Sequence, residues 1–220
     1  MDNRKHMGNI TDCGETGSGS RTVEQDGAGR ELSETLVIRE LDIEEYRGKT
    51  YEFVYETPGF YDFDVRENEF ALEYKSFERP VRKSFTDSLI SQWLESPCLY
   101  GAFRNGCLAG IAEGSMESWN NRFRINNFLI FEEFRRQGIG TLLMQRMLRR
   151  AGEEKARMTV LETQSCNVNA IQFYRRCGFE IIGFDLYCYS NQDPQRGEVR
   201  IEMGTVQPGL CIHYTDRMNA

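Results

Sequence analysis

The segment Arg135-Arg136-Gln137-Gly138-Ile139-Gly140-Thr141 combines residue types and spacing that suit an anion. A β-rich run precedes it and a helical pattern follows, so the segment sits where a helix begins. The first turn of a helix has backbone N–H groups with no partner inside the helix and carries about half a positive charge. Glycines at 138 and 140 let a ligand approach that backbone with no Cβ in the way, and Arg135 and Arg136 add mobile positive charge. Together these make a pyrophosphate cradle, in which an exposed charge–dipole contact contributes about 0.3–1 kcal/mol. Two other phosphate-binding loops do not fit. A dinucleotide fingerprint needs G-x-G-x-x-G after the first strand of a βαβ unit, whereas Leu143 holds the third glycine position and a meander precedes. A P-loop needs Lys and then Ser or Thr after its last glycine, where this chain has Ile139 or Thr141. For these residues alone, a helix that opens on glycines for packing is the plainer alternative.

One strand further on stands a second cluster, Asn167-Val168-Asn169-Ala170-Ile171-Gln172-Phe173-Tyr174-Arg175-Arg176-Cys177-Gly178-Phe179. With both clusters in view the sequence resembles the GNAT superfamily of acyl-CoA-dependent N-acetyltransferases. Its motif A, R/Q-x-x-G-x-G/A, is met by Arg135, Gly138 and Gly140. Its motif B, N-x-x-A-x-x-F/L-Y-x-x-x-G-F, is met by Asn167, Ala170, Phe173, Tyr174, Gly178 and Phe179. A closer resemblance, to the streptothricin (nourseothricin) acetyltransferases, rests on three stretches. They are Ser118-Trp119-Asn120-Asn121-Arg122, Leu161-Glu162-Thr163-Gln164 and Gly183-Phe184-Asp185-Leu186-Tyr187. Where that group usually carries a Glu-Asp pair on the motif A strand, this chain has Asn126-Asn127.

The resemblance implies acetyl-CoA as co-substrate, no metal, and transfer by direct attack of a primary amine. It implies a cofactor site made of Leu129, Ile130, Arg135, Arg136, Gln137, Gly138, Ile139, Gly140, Thr141, Asn167 and Tyr174. A backbone N–H near Leu129 or Ile130 would meet the thioester oxygen, and Tyr174 would donate to the departing thiolate. A lysine-like amine of pKa ~10.4 costs roughly 4–5 kcal/mol to hold neutral at pH 7, so a base is needed, and a general base contributes ~10²–10⁴ in rate. Asn126 and Asn127 accept no proton usefully. Glu162, at the end of the strand beside the cleft, is the first candidate, and Glu113, Glu117 and Asp185 follow. Trp119, Glu117 and Asp185 are the expected acceptor-binding residues, since an aromatic face favours a cationic amine. A covalent route through Cys166 or Cys177 has no nearby histidine to support it, so buried, inert thiols are expected there.

The elements that must hold these residues read as follows. Thr35 to Glu40 is a short strand by its β-branched content. The stretch from Tyr46 to Phe63 is crowded with rings, expected as core or as a lid over a groove. Thr86 to Glu95 reads as a helix stopping before Pro97, with Leu89, Ile90, Trp93 and Leu94 packed inward. Cys98–Phe103 and Cys107–Ala112 form a hairpin on Asn105-Gly106, and Arg124–Phe131 adds a third strand. A regular amphipathic helix runs from Gly138 to about Lys155. Met158–Glu162 is a strand, Asn167–Arg176 a helix stopped by Gly178, and Glu180–Tyr187 and Glu198–Met203 two closing strands. The fold class is α/β, a mixed and mostly antiparallel central sheet flanked by helices.

Composition sets the frame. The chain has 220 residues, 40% hydrophobic and 12% aromatic, which suits one folded domain with tails and excludes a mainly disordered chain. Residues 1–34, rich in Gly, Ser and charge, are expected as a tail, 35–205 as the acetyltransferase domain and 206–220 as a second tail. A net charge of −7 argues against a general nucleic-acid binder, while suiting a cationic acceptor. No apolar run suits a membrane span or a signal peptide. Seven cysteines without a C-x-x-C pair, with His6 and His213 near the ends, suit a reduced, cytoplasmic protein without a structural metal. The expected partner is a small-molecule amine, with neither nucleic acid nor membrane, in a monomer or homodimer. The leading function is acetylation of a streptothricin-type antibiotic. The alternatives are a polyamine or protein-amine acetyltransferase, or a degenerate acyl-CoA-binding regulatory module.

Overall fold

Strand ladders account for most of the molecule because its apolar residues alternate along short runs separated by Asn and Gly turns. The computed structural model describes residues 35–206 apart from Asn68. Within them the order is β1 (Leu36–Glu40), α1 (Ile43–Tyr46), β2 (Thr50–Arg66), β3 (Glu69–Ser88), β4 (Glu95–Arg104), β5 (Cys107–Glu117) and β6 (Arg122–Ile130). There follow α2 (Ile139–Glu153), β7 (Met158–Gln164), α3 (Val168–Arg176), β8 (Glu180–Asp185), α4 (Asp193–Arg196) and β9 (Arg200–Val206). Seven strands form one sheet in the order β1-β4-β5-β6-β7-β9-β8, parallel only between β6 and β7, and β2 pairs with β3 apart from it. The mixed, mostly antiparallel fold class is as expected. The expected tails, with His6, His213, Cys13 and Cys211, lie outside the described residues except for Val206, which ends β9.

The hairpin between β4 and β5 turns on Asn105 (φ 49°) and Gly106 (φ 83°), the positive-φ pair that a tight two-residue loop requires. Helix α2 buries Ile139, Leu143, Met144, Met147 and Ala151, four of which join Phe123, Ile125 and Leu161 of the sheet in the main core. Helix α3 ends as expected on Gly178 (φ 88°), with Phe179 N–H donating to Tyr174 O and Gly178 N–H to Arg175 O.

One expected helix does not form. From Thr86 to Ser88 the chain completes β3, in register with Glu52, Tyr51 and Thr50, and from Glu95 it already belongs to β4. Ile90 takes φ 58°, which a helix interior does not allow. Leu89 and Ile90 are buried as expected, but Trp93 is 73% exposed. The helical spacing there was a coincidence of a strand end followed by a turn. The aromatic stretch becomes most of β2, one arm of a long two-stranded ribbon. Phe53 stacks on Phe85 of β3 with ring centroids 4.8 Å apart, while Tyr61 and Phe63 pack against the main core. The ribbon thus forms a wall over α3 and the adjacent strand ends, tied down by Tyr61 N–H to Ser165 O and by Asn169 Nδ2 to Glu56 O.

Candidate active site

The sheet opens where the site residues collect. Strands β6 and β7 share a ladder only from Arg122↔Met158 to Ile125↔Leu161. Beyond it β6 stays with β5 as far as Gly110↔Ile130, and β7 stays with β9 through Gln164↔Arg200, leaving a wedge between them. Asn126 is the bulged residue at which the split starts, since Glu113 pairs with Asn127 and Gly114 with Ile125. Phe131 donates its N–H to Ala109 O on the β5 side. Strand alternation therefore turns the N–H groups of Phe128 and Ile130 into the wedge, and that of Leu129 away from it. Of the two expected oxyanion donors, Ile130 has the right direction.

A cavity of about 1370 Å³ fills the wedge, walled by Phe53, Val54 and Tyr55 of β2 and reaching the start of α2. There Gly138 is the N-cap at φ 79° with no side-chain cap, so the first-turn N–H groups of α2 face the cavity mouth. A Cβ added at Gly138 meets nothing within 4 Å, so the space over that turn is open. Arg136, with φ 60°, and Thr141 line the same space. Arg135 lines it too, but its guanidinium is engaged with the carbonyls of Ile130 (3.0 Å) and Val54 (2.7 Å), buttressing β6 against the ribbon. Two expected cofactor residues do not reach the cavity by their side chains. Gln137 turns to Arg104 (2.6 Å) and to Glu133 O, and Ile139 is buried against Ala102 and Ala109.

Asn167 caps α3 without a side-chain cap bond and lines the cavity, as does Tyr174 one helical turn and more along. Tyr174 is held by Phe128, Phe173 and Phe179 at centroid distances of 5.5–6.4 Å. Burial, with Cys177 adding to it, pushes its phenol well above the ordinary range, so it stays a protonated donor. Cys166 and Cys177 line no part of the cavity, and burial raises both thiols, so neither is a nucleophile poised at the site.

The carboxylates divide by environment. Glu162 lies on the rim, accepting Tyr189 Oη–H at 2.7 Å and paired with Arg200 at 2.9 Å. Glu117 is clasped by Arg122 (2.8 Å) and Arg124 (2.5 Å). Burial raises its carboxyl, but these hydrogen bonds and charges outweigh it and hold it below the usual range. Asp185 stands apart from these carboxylates. It is exposed at the end of β8, accepts Tyr187 N–H at 3.0 Å in a local turn, and is not among the residues lining this cavity. Glu113, a lesser candidate in the sequence, is 1% exposed and lines the cavity. Its Oε1 accepts Ile90 N–H at 2.8 Å and its Oε2 accepts Asn127 Nδ2 at 2.6 Å. Burial pushes it above the usual carboxylate range, only partly opposed by those two hydrogen bonds, and Asp87 adds to the rise.

A smaller cavity of about 370 Å³ adjoins the first and shares Trp93, Leu94, Arg124 and Glu162 with it. Glu95, Glu117 and Trp119, 82% exposed, line it as well, with Ser115, Met116 and Arg200. The sequence places Trp119 and Glu117 near the acceptor, whereas its helical spacing puts Trp93 in the core. Only its exposed position after a strand end, invisible in a helical spacing count, brings it here.

Residues 58–179 match the acetyltransferase (GNAT) family. A streptothricin acetyltransferase of Streptomyces lavendulae is 30% identical over 166 residues, covering 64% of this chain and 88% of that protein. Streptothricin acetyltransferase A of Bacillus subtilis is 29% identical over 57% of this chain and 73% of its own length. Among solved structures, a nourseothricin acetyltransferase superposes with a TM-score of 0.64 at 24% identity, covering 79% of this chain and 99% of that one. A Bacillus anthracis protein described as a streptothricin acetyltransferase and solved with acetyl coenzyme A gives 0.59 at 24% identity, over 78% of this chain and 99% of that one. The wedge, the uncapped helix start and these matches agree: the chain belongs to the GNAT family of acetyltransferases.

Proposed function

We propose that this acetyltransferase moves an acetyl group from acetyl-CoA to a primary amine of a small cationic molecule of the streptothricin type. One observation carries the reading: a single cavity joins the open helix start at Gly138, the wedge between β6 and β7, and the Tyr174 phenol. A diphosphate fits the N–H groups of α2 beside Arg136, over the open space at Gly138. An extended pantetheine fits the free edge of β6, with the N–H of Phe128 or Ile130 left to meet the thioester oxygen. Asn167 faces the same channel. Acetyl-CoA supplies an acyl group on a thiolate that leaves readily, so the protein must orient the amine, remove its proton and reprotonate the thiolate. Tyr174, kept protonated by burial, suits the last task.

The acceptor side is supported by the smaller cavity. Exposed rings of Trp93 and Trp119 beside Glu95 suit a flexible cation, and Glu162 with Arg200 stands at the junction of the two spaces. The similarity to streptothricin acetyltransferases favours an amine of a streptothricin-type molecule over a polyamine or protein amine. The test is thiol release from acetyl-CoA with streptothricin and with a panel of lysine-like amines, polyamines and peptides. Release with streptothricin well above the rest is expected. Acetyl-CoA binding without release for any amine would instead favour the acyl-CoA-binding module.

A further inference from the structure

We infer that Glu113 of β5 is the proton acceptor of the reaction and that Asn127, facing it across the ladder on β6, positions it. The inference rests on the proposed amine acetylation. Of the carboxylates lining the larger cavity among the described residues, Glu113 alone is buried; Glu56, Asp87, Glu132 and Glu162 are exposed. Glu132 also pairs with Arg82, and Glu162 with Arg200. Among the described residues Glu113 pairs with no cation. Its two hydrogen-bond partners are neutral, the Ile90 N–H and the Asn127 amide. A buried, cation-free carboxylate costs stability, and such groups collect where a base is needed near neutral pH.

Position completes the argument. Glu113 and Asn127 are directly opposed in the β5–β6 register, one residue past the bulge at Asn126 where the sheet splits. The free N–H groups of Phe128 and Ile130 follow immediately. Asn127 explains itself in the same geometry: an Asp there would set two carboxylates at 2.6 Å, whereas an amide donates to Glu113 and aims its second oxygen. Asn126 is likewise tied to β5, through Ser115 Oγ at 2.8 Å. The charged groups around Glu113 leave it to act. Asp87 of β3 repels its ionised form, while Arg124 and Arg135, lining the same cavity, bond to Glu117 and Glu202 and to backbone carbonyls.

The proton balance is simple. The bound ammonium gives one proton to the Glu113 carboxylate through a water, and the freed lone pair forms the C–N bond. The C–S bond breaks with its electrons on sulfur. The second amine proton passes to the thiolate by way of Tyr174, and Glu113 returns its proton to solvent, so one proton is released per turnover.

The experiment compares wild type with Glu113→Gln, Glu162→Gln and Glu113→Gln/Asn127→Asp in thiol release with streptothricin and the amine panel, across pH. Gln keeps an acceptor for Ile90 N–H, and the Asn127 amide can turn its oxygen to the new Nε2–H, so a purely structural role survives the substitution. Glu113→Gln is expected to lower kcat/KM about 10²-fold or more with KM for acetyl-CoA unchanged. Its profile should then rise about tenfold per pH unit toward the amine pKa, where wild type shows a plateau. The double variant, with the carboxylate on β6, should recover at least about tenfold of the loss, and Glu162→Gln should keep the plateau of the wild-type pH profile whatever it does to the acceptor KM. Glu113→Gln within about threefold of wild type, or with an unchanged profile, overturns the assignment while leaving the function intact. A wild-type protein that releases thiol with none of the amines overturns the function and this assignment with it.

Discussion

Replacing Gly138 by Ala separates the cost of backbone strain from the loss of a ligand contact. Gly138 has φ 79°, a left-handed conformation in which an L residue costs about 1–2 kcal/mol. Its added Cβ meets no protein atom within 4 Å, so the fold suffers that strain and no clash. At roughly 2–4 °C per kcal/mol for a domain of this size, the melting temperature should fall by about 2–8 °C. Gly106 offers an internal control: φ 83°, again with nothing within 4 Å of a built Cβ, but in the β4–β5 turn rather than at the cavity. Gly106→Ala should lower the melting temperature by a similar amount. Only Gly138→Ala should weaken acetyl-CoA binding, because its methyl group occupies the approach to the first-turn N–H groups. Losing that charge–dipole contact, about 1–2 kcal/mol when partly buried, weakens Kd about 5–30-fold. Isothermal titration of acetyl-CoA against both variants and wild type reads the difference. Equal Kd values for the two alanine variants would refute the placement of the diphosphate at the start of α2.

Tyr174→Phe keeps the packing with Phe128, Phe173 and Phe179 and removes only the donor, so kcat should fall toward about 10²-fold with melting temperature little changed. Because burial raises the Tyr174 phenol, wild-type activity should show no descending limb from this group across an assay range of about pH 6–9. Glu113 has a folded-state pKa above its unfolded one, so its protonated form favours the fold and stability is lost as pH rises through the folded value. Glu113→Gln should therefore be as stable as wild type or more so at pH 7 in thermal melts, while losing turnover. Glu117 has the opposite sign. Its carboxyl is held low, so its contribution is present above the unfolded pKa and disappears as pH falls through the folded one; Glu117→Gln should cost about 1–3 kcal/mol at pH 7 by denaturant titration and nothing in strong acid. Trp93→Ala and Trp119→Ala, exposed by 73% and 82%, should leave the melting temperature unchanged and raise KM for a cationic acceptor about 2–30-fold, with KM for acetyl-CoA unaffected.

The sequence by itself determined the features whose cause is local. The glycines and arginines from 135 to 141 marked an anion cradle because a helix start needs no tertiary partner to present its N–H groups. Asn105-Gly106 and Gly178 marked a turn and a helix stop because their positive φ is a backbone demand. The period of α2 from Ile139 to Glu153 was legible because one face of it is apolar. Asn126-Asn127, set against the resemblance, directed the search for a base to other strands. Which group stands there was a matter of contacts between distant segments. Glu162 and Glu113 are each one carboxylate on one strand in the sequence. Only the fold brings Arg200 from β9 to the first, and Ile90 and Asn127 to the second. The same holds for Thr86 to Glu95, whose helical spacing yielded to pairing with β2 and left Trp93 on the wall of the smaller cavity. Charge, burial and register are sums over neighbours far apart in the chain, so the tertiary structure alone decided them.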